Sequence, residues 1–139
     1  MPIARQKPKR RARASGVPGY IKPQLCELVT APPVGDHWVH EAKLDGYRTQ
    51  LHVINGKAIL FSRNGLDWTH RFAEIAKAAE RLDTCVIDGE VCAVDAKGLP
   101  SFAGLTDALT AKKTQGLVFY AFDMMFDGKR KDERLEDRP

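Results

Sequence analysis

The chain has 139 residues, of which 43% are hydrophobic and 29% charged, and its formal net charge is +4. This composition is ordinary for a globular protein, and the length favours a single core. No apolar run approaches the ~18 residues of a membrane span, and the first residues lack the apolar stretch of a secretory signal. These features argue against membrane and secreted classes and predict a cytosolic protein.

The positive charge is concentrated at the N-terminus. No acidic residue precedes Glu27, and residues 1–19 carry Pro, Ser and Gly without hydrophobic periodicity. Such arms are disordered and bind polyanions by counterion release. We expect a disordered basic arm over 1–19 that binds nucleic acid, although a solubilising tail or an inter-domain linker has the same composition. The basic residues assigned to this arm are Arg5, Lys7, Lys9, Arg10, Arg11 and Arg13.

A globular region is predicted over residues 20–139. Its first part, 21–33, contains prolines that forbid a long helix or a central strand. A strand is predicted at 38–43, where Val39, Glu41 and Lys43 would share one face. The three cysteines form no C-x-x-C pair, which predicts buried or half-buried free thiols and no disulfide or metal framework.

Lys43 begins the stretch Lys43-Leu44-Asp45-Gly46-Tyr47-Arg48. A nucleophilic lysine needs a fixed backbone, nearby cations that favour its neutral form, and a phosphate-binding partner, and this stretch supplies candidates for all three. No carboxylate is expected opposite Lys43. The alternative interpretation is a surface β-turn at Asp45-Gly46 with solvated charges on either side.

A β-hairpin is the clearest supersecondary element. The strands 47–54 and 57–63 flank Asn55-Gly56, which suits a two-residue type I′ turn. This turn predicts that Leu51 faces Leu60 and that Arg48 faces Arg63. Two guanidinium groups so placed would repel, which predicts an anion between them; otherwise the two side chains extend into solvent.

Four further elements complete the predicted order. A packing helix begins at Thr69 and runs to about residue 82, because its apolar residues follow a 3.6-residue period. A strand at 85–94 carries Asp88 and Glu90 on one face, and buried charges require a polar partner or ligand; an exposed sheet edge is the alternative. Ser101 caps a short helix through residue 109. A strand at 117–126 follows.

Alternation along this last strand places Tyr120, Phe122 and Met124 on the same face. By itself, Phe122 is interpreted as a core residue. Overall, the pattern predicts an α+β fold with a mainly antiparallel β-sheet and flanking helices.

Four segments in this order resemble the motifs of covalent nucleotidyltransferases. The first, 43–48, resembles the K-x-D-G-x-R signature; Ser62-Arg63-Asn64-Gly65, Asp88-Gly89-Glu90-Val91 and Tyr120-Ala121-Phe122-Asp123 resemble the second, third and aromatic motifs. The sequence that flanks these motifs is most similar to that of ATP-dependent DNA ligases of the bacterial end-joining type. The resemblance covers residues 17–128 and implies the N-terminal half of a covalent nucleotidyltransferase (ATP-grasp-like DNA ligase) domain.

The resemblance also implies a reaction and its residues. Lys43 would attack the α-phosphate of ATP with the help of a divalent cation, Mg²⁺ or Mn²⁺, and AMP would pass to a DNA 5′-phosphate before the nick is sealed. Glu41 would lie against adenine, Arg48 and Arg63 would contact ribose and phosphates, and Phe122 would stack on the base. Glu90 would hold the ribose or serve as a metal ligand.

Family members continue into E-G-x-V-x-K and K-x-K segments and an OB-fold domain, which do not follow Phe126. We therefore expect a truncated chain, or one part of a split enzyme, that is inactive alone. Nicked or broken duplex DNA is the expected partner, with end-joining proteins or a chain that supplies the missing motifs, in a bacterial, nucleoid-associated setting. An RNA ligase or capping-type enzyme and a non-catalytic nucleotide- or DNA-binding module are the alternatives.

Overall fold

A computed structural model describes residues 16–128 of the chain. The six basic residues predicted to bind nucleic acid therefore lie outside the described residues, as do residues 129–139. In chain order the elements are β1 (Tyr47–Ile54), β2 (Lys57–Ser62), α1 (Ala73–Ala79), β3 (Cys85–Val94), β4 (Pro100–Ser101), α2 (Phe102–Thr110) and β5 (Val118–Phe126).

The five strands form one antiparallel sheet with β3 at its centre. β1 pairs with one edge of β3 and continues to β2, β5 pairs with the other edge, and the short β4 pairs with Ala93 and Val94 at the end of β3. Because β3 has neighbours along both edges, its side chains are held in register with β1 and β5. The α+β fold with an antiparallel sheet is confirmed.

The β1–β2 hairpin follows the sequence prediction. Asn55 and Gly56 have φ angles of 50° and 74°, the two positive values that a type I′ turn requires. Leu51 pairs with Leu60 as predicted, and the ladder ends at the pair Thr49–Ser62. It therefore stops one pair before Arg48 and Arg63.

The two faces of the sheet are packed differently. One face packs on α1 and α2 through a core that includes Leu51, Leu60, Phe72 and Leu105. The opposite face is covered at one end by a smaller cluster in which Ile21 packs with residues of β3 and β5. The remainder of this second face carries the polar residues of the candidate site.

The two helices differ in how well the sequence predicted them. Ser101 caps α2 as expected, since its hydroxyl accepts a hydrogen bond from the Gly104 N–H at 3.1 Å. The prediction that Thr69 caps a helix running to 82 was wrong. The Thr69 hydroxyl instead donates to Asp67 and accepts from the Leu60 N–H, so residues 69–72 form turns and α1 begins only at Ala73.

The predicted strand at 38–43 was also wrong. This segment is irregular, and Val39 is 84% exposed. A strand requires a hydrogen-bonded neighbour, and both edges of the following strand, β1, are already occupied by β2 and β3. Residues 38–43 pair with no strand of the described sheet, so alternation alone did not make this segment a strand.

The pairing of β3 with β5 is irregular. Register shifts occur between Val86 and Ile87 and between Asp88 and Gly89. As a result Tyr120 pairs with Glu90 on the site face, whereas Met124 pairs with Ile87, which belongs to the helix-facing core. The prediction that Tyr120 and Met124 share one face was therefore wrong, because a bulge reverses the alternation.

Two of the three cysteines are buried, as predicted, whereas the prediction of a buried or half-buried thiol was wrong for Cys26. Cys85 and Cys92 are buried free thiols, whereas Cys26 is exposed. Burial raises the pKa of Cys92 to about 11, so this thiol is a packing residue. Neither helix in residues 16–128 has the length and apolar character needed to cross a membrane.

Candidate active site

Arg48 and Asp88 form the centre of the site. Pairing of β1 with β3 puts Arg48 opposite Glu90 and Gln50 opposite Asp88, so these side chains share one face. The Arg48 guanidinium donates to both Asp88 oxygens, at 3.3 Å from Nε and 2.7 Å from Nη2. This fork raises the pKa of Arg48 and gives the 3% exposed Asp88 the cationic partner that its burial requires.

Glu90 joins the site to the loop that carries Lys43. Its Oε1 accepts a hydrogen bond from the Gly46 N–H at 3.1 Å. Burial raises the pKa of Glu90, while the Gly46 N–H, Lys43 and Arg48 oppose that rise. A side chain at position 46 would overlap the Val91 carbonyl and the Cys92 sulfur, so only glycine lets the loop approach β3 this closely.

Lys43 is the most exposed residue of the group. Its side chain is 87% exposed, and Nζ lies 3.2 Å from Asp45 Oδ1. The expectation that no carboxylate faces Lys43 was therefore wrong: the turn that brings Gly46 to Glu90 also brings Asp45 to the lysine. Lys43 nevertheless lies close enough to Glu90 to influence its ionisation.

Phe122 completes the group on the β5 side. Its ring is 46% exposed, and the Arg48 guanidinium lies 5.5 Å from the ring centroid. The interpretation of Phe122 as a core residue was wrong. A half-exposed ring beside an ordered cation is suited to stacking on a planar ligand.

Arg63 does not face Arg48 across the hairpin. Because the ladder stops at Thr49–Ser62, Arg48 is instead fixed by Asp88, and the predicted pair of mutually repelling guanidinium groups does not form. Arg48 and Arg63 do line one shallow depression, together with Tyr20 and Asp88. The sequence missed this arrangement because hairpin chemistry specifies the β1–β2 register and carries no information about β3.

Glu41 and a metal site are not part of this assembly. Glu41 is exposed on the irregular segment 38–44 and forms no ion pair within residues 16–128. Within the same residues no group of three or more His, Cys, Asp or Glu side chains is placed to hold a metal ion. Any cation here would rely on Glu90 and on the ligand's own oxygens, a coordination that suits Mg²⁺.

Three contacts of the site were not predicted. Gln50 holds the backbone of Ile21, the Gln24 carbonyl accepts from Arg48 Nη1 at 2.7 Å, and the Tyr20 hydroxyl donates to the Arg63 carbonyl. Gln50 is a polar residue at a buried strand position, and this was the signal that the sequence offered. Its partners lie 29 residues away, which no local pattern reveals.

An acidic, arginine-bearing sheet face beside a lysine-containing turn is the architecture of a nucleotidyltransferase, and the comparisons agree. Residues 23–139 match the model of the family described as "ATP dependent DNA ligase domain". The chain belongs to this family.

Relatives with this similarity are named as DNA ligases or end-joining proteins. The chain is 36% identical to the multifunctional non-homologous end joining protein LigD of Pseudomonas aeruginosa, over 99% of the chain and 17% of that protein. It is 33% identical to a DNA ligase of Natronomonas pharaonis, over 86% of the chain and 24% of the relative. The chain thus spans less than a quarter of the length of either relative.

Solved structures confirm the fold. The structure described as mycobacterial DNA ligase D complexed with ATP and MES matches with a TM-score of 0.55 and 32% identity, over 64% of this chain and 30% of that one. The ligase domain of Mycobacterium tuberculosis LigD matches with a TM-score of 0.53 and 30% identity, over the same shares. The sheet and helices described above therefore match part of the fold of a LigD ligase domain.

Proposed function

We propose that the chain supplies the lysine and part of the nucleotide pocket of an ATP-dependent DNA ligase that acts through a lysyl-AMP intermediate. The observation that carries the proposal is the convergence of Arg48, Asp88, Glu90 and Phe122 beside the turn that holds Lys43. Arg48, fixed by the Asp88 carboxylate, suits the phosphate of a nucleotide. The half-buried Glu90 suits the ribose, and the exposed ring of Phe122 suits the base. The ATP complex of a related mycobacterial ligase supports ATP as the nucleotide.

The proposed chemistry has three steps. Neutral Lys43 Nζ attacks the α-phosphorus of ATP, so that an N–P bond forms as the P–O bond to pyrophosphate breaks. The AMP group then passes to an oxygen of a DNA 5′-phosphate, which releases the lysine. The 3′-hydroxyl next attacks that phosphate, which seals the nick and expels AMP.

Each residue of the site has a proposed part. Arg48, held at a fixed angle by Asp88, contacts phosphate or ribose, and Arg63 lies across the same depression. Phe122 stacks on the base and Glu90 binds ribose hydroxyls or a metal. Glu41, which is exposed outside this assembly, is proposed to lie against adenine when the nucleotide is bound. A divalent cation would neutralise charge on the phosphates as pyrophosphate leaves.

We further propose that the 139 residues alone bind nucleotide weakly and do not seal nicks. Lys43 is largely solvated and ion-paired with Asp45, and the described face of the sheet is open above Phe122. Phosphoryl transfer depends on positioning and on charge stabilisation, and each missing donor costs about 10² to 10³ in rate. Duplex DNA is the proposed substrate, in the bacterial cytoplasm beside the nucleoid and with end-joining proteins.

A sealing assay tests the proposal. The chain alone, and the chain fused to the residues that follow the aligned region of Pseudomonas aeruginosa LigD, are incubated with ATP, Mg²⁺ and a nicked DNA duplex. We expect sealing only by the fusion, and none after Lys43→Ala. The matched control is Lys57→Ala, since Lys57 is an exposed lysine at the far end of the hairpin.

Three outcomes would contradict the proposal in different ways. Sealing by the chain alone that Lys43→Ala abolishes would show that the additional length of the relatives is dispensable. A fusion that seals nicked RNA in preference to DNA, or that uses GTP in place of ATP, would favour the RNA ligase or capping-type alternative. Salt-dependent DNA binding by the fusion without any sealing would favour a non-catalytic module.

A further inference from the structure

We infer that residues 20–24 form a strap across the site face of the sheet, and that Gln50 is the positioning residue that holds this strap and, through it, Arg48. The inference deepens the proposed function and rests on it, because it concerns how the nucleotide-binding arginines are held. Gln50 acts through the strap, because its amide is bonded to Ile21 and the residue is 3% exposed.

The Gln50 side chain binds the backbone of the strap. The side-chain Oε1 accepts from the Ile21 N–H at 2.9 Å, and Nε2 donates to the Ile21 carbonyl at 2.9 Å. This is the pairing that a neighbouring strand would make, supplied here by one side chain. His52 Nε2 lies 2.8 Å from the same Oε1 and fixes the orientation of the amide.

The strap in turn contacts both arginines of the site. The Gln24 carbonyl accepts from Arg48 Nη1 at 2.7 Å, which leaves the guanidinium bound by Asp88 on one side and the strap on the other. The Tyr20 hydroxyl donates to the Arg63 carbonyl, and the Tyr20 ring packs on Phe61. Displacing the strap would therefore remove a partner from Arg48 and release the loop that begins at Arg63.

Gln50 is otherwise an unfavourable choice for its position. It is 3% exposed, in the middle of β1, and burial of an amide is costly unless its hydrogen bonds are satisfied. Its donor and acceptor are used for the strap, with the Met125 sulfur as a further, weaker acceptor at 3.6 Å. The side chain is therefore best explained by the segment that it holds.

The test compares Gln50→Leu with two variants of the 139-residue chain. Gln50→Leu keeps a side chain of similar size and removes both hydrogen bonds to Ile21. Gln50→Glu keeps the shape of the side chain and the acceptor for the Ile21 N–H. Val53→Ala is the control, since Val53 is fully buried in the same strand but packs in the helix-facing core. The readouts are amide hydrogen exchange at Ile21, the Arg48 Nε–H resonance, and the Kd for ATP.

In Gln50→Leu we expect at least tenfold faster exchange at Ile21, a broadened Arg48 Nε–H signal and a Kd for ATP raised about tenfold. Gln50→Glu should retain most of the Ile21 protection and show a smaller rise in Kd. Val53→Ala should lower the urea midpoint and leave the other readouts unchanged. Equal effects of Gln50→Leu and Val53→Ala on Kd, or an unchanged Arg48 signal in Gln50→Leu, would overturn the inference.

The design separates this inference from the proposed function. If the unsubstituted chain binds no ATP, the nucleotide-binding proposal fails, but exchange at Ile21 and the Arg48 signal still decide whether Gln50 holds the strap. If Gln50→Leu does not fold, Gln50→Glu decides, because its carboxylate cannot donate to the Ile21 carbonyl: an unchanged Kd for ATP together with an unchanged Arg48 signal would contradict the strap.

Discussion

At the scale of single residues, the charged groups around the site and the buried His52 differ in their partners. Arg48, Asp88 and Glu90 are charged groups on a sheet face, and each finds a partner: Arg48 and Asp88 in each other, and Glu90 in the Gly46 N–H. His52 differs, because its neighbour Gln50 is neutral. Burial lowers the pKa of His52 to about 4. The histidine is therefore neutral in the folded state at neutral pH.

This state of His52 predicts a pH-dependent stability. The unfolded histidine binds a proton near pH 6.5, whereas the folded one has a pKa of about 4. The contribution of neutral His52 to the free energy of unfolding is therefore fully present above pH 6.5 and is lost as the pH falls toward 4. Replacing His52 with Gln removes this contribution. We expect the stability advantage of the unsubstituted chain over His52→Gln to shrink by about 2 to 3 kcal/mol between pH 7 and pH 4.5.

Urea unfolding at the two pH values measures this difference. Other groups titrate equally in both chains, so the comparison isolates His52. A constant difference between the free energies of unfolding of the two chains from pH 7 to 4.5 would mean that His52 is accessible and titrates normally when folded.

At the scale of elements, the register of β3 against its neighbours assembles the site. The shift beside Gly89 coincides with a close approach of β5: a side chain at position 89 would overlap the Phe119 ring and the Tyr120 carbonyl. Gly89 thus lets β5 lie where Phe122 reaches Arg48. A glycine in a strand interior generally weakens the strand, whereas here the strand pairing requires it.

Replacement of Gly89 therefore tests the β3–β5 contact. Gly89→Ala forces the Phe119 ring and the β5 backbone to move, and overpacking of this kind costs about 1 to 3 kcal/mol. Gly116→Ala is the control, because no atom lies within 4 Å of the added carbon there. Urea unfolding should show a clear loss of stability for Gly89→Ala only. Equal stability of the two variants would contradict the described packing.

Local sequence patterns predicted the elements better than their contacts. The bounds of β1 and β3 and the Ser101 cap were predicted because alternation, turn residues and caps are local signals. The strand at 38–43 and the partner of Arg48 were missed because both depend on which strands become neighbours. Asp88 was identified as a functional residue, but its partner lies 40 residues away on β1.

At the scale of the whole molecule, the described chain provides one wall of the proposed nucleotide site. The sheet, the helices behind it and the strap hold Arg48, Glu90 and Phe122, while residues 24–43 are exposed. Exposed apolar side chains along that segment include Leu28 at 98% and Val34 at 91%. Lys43 is thus positioned mainly by the Gly46–Glu90 hydrogen bond, and its reactivity is the central claim.

The most direct test is the identity of the residue that carries AMP. The fusion with the Pseudomonas aeruginosa continuation is incubated with ATP and Mg²⁺ without DNA, and the adduct is measured by intact-mass spectrometry and mapped by peptide sequencing. We predict a single AMP group on Lys43, no adduct in Lys43→Ala and an unchanged adduct in Lys57→Ala. An adduct that persists in Lys43→Ala, or that maps to another residue, would contradict the assignment.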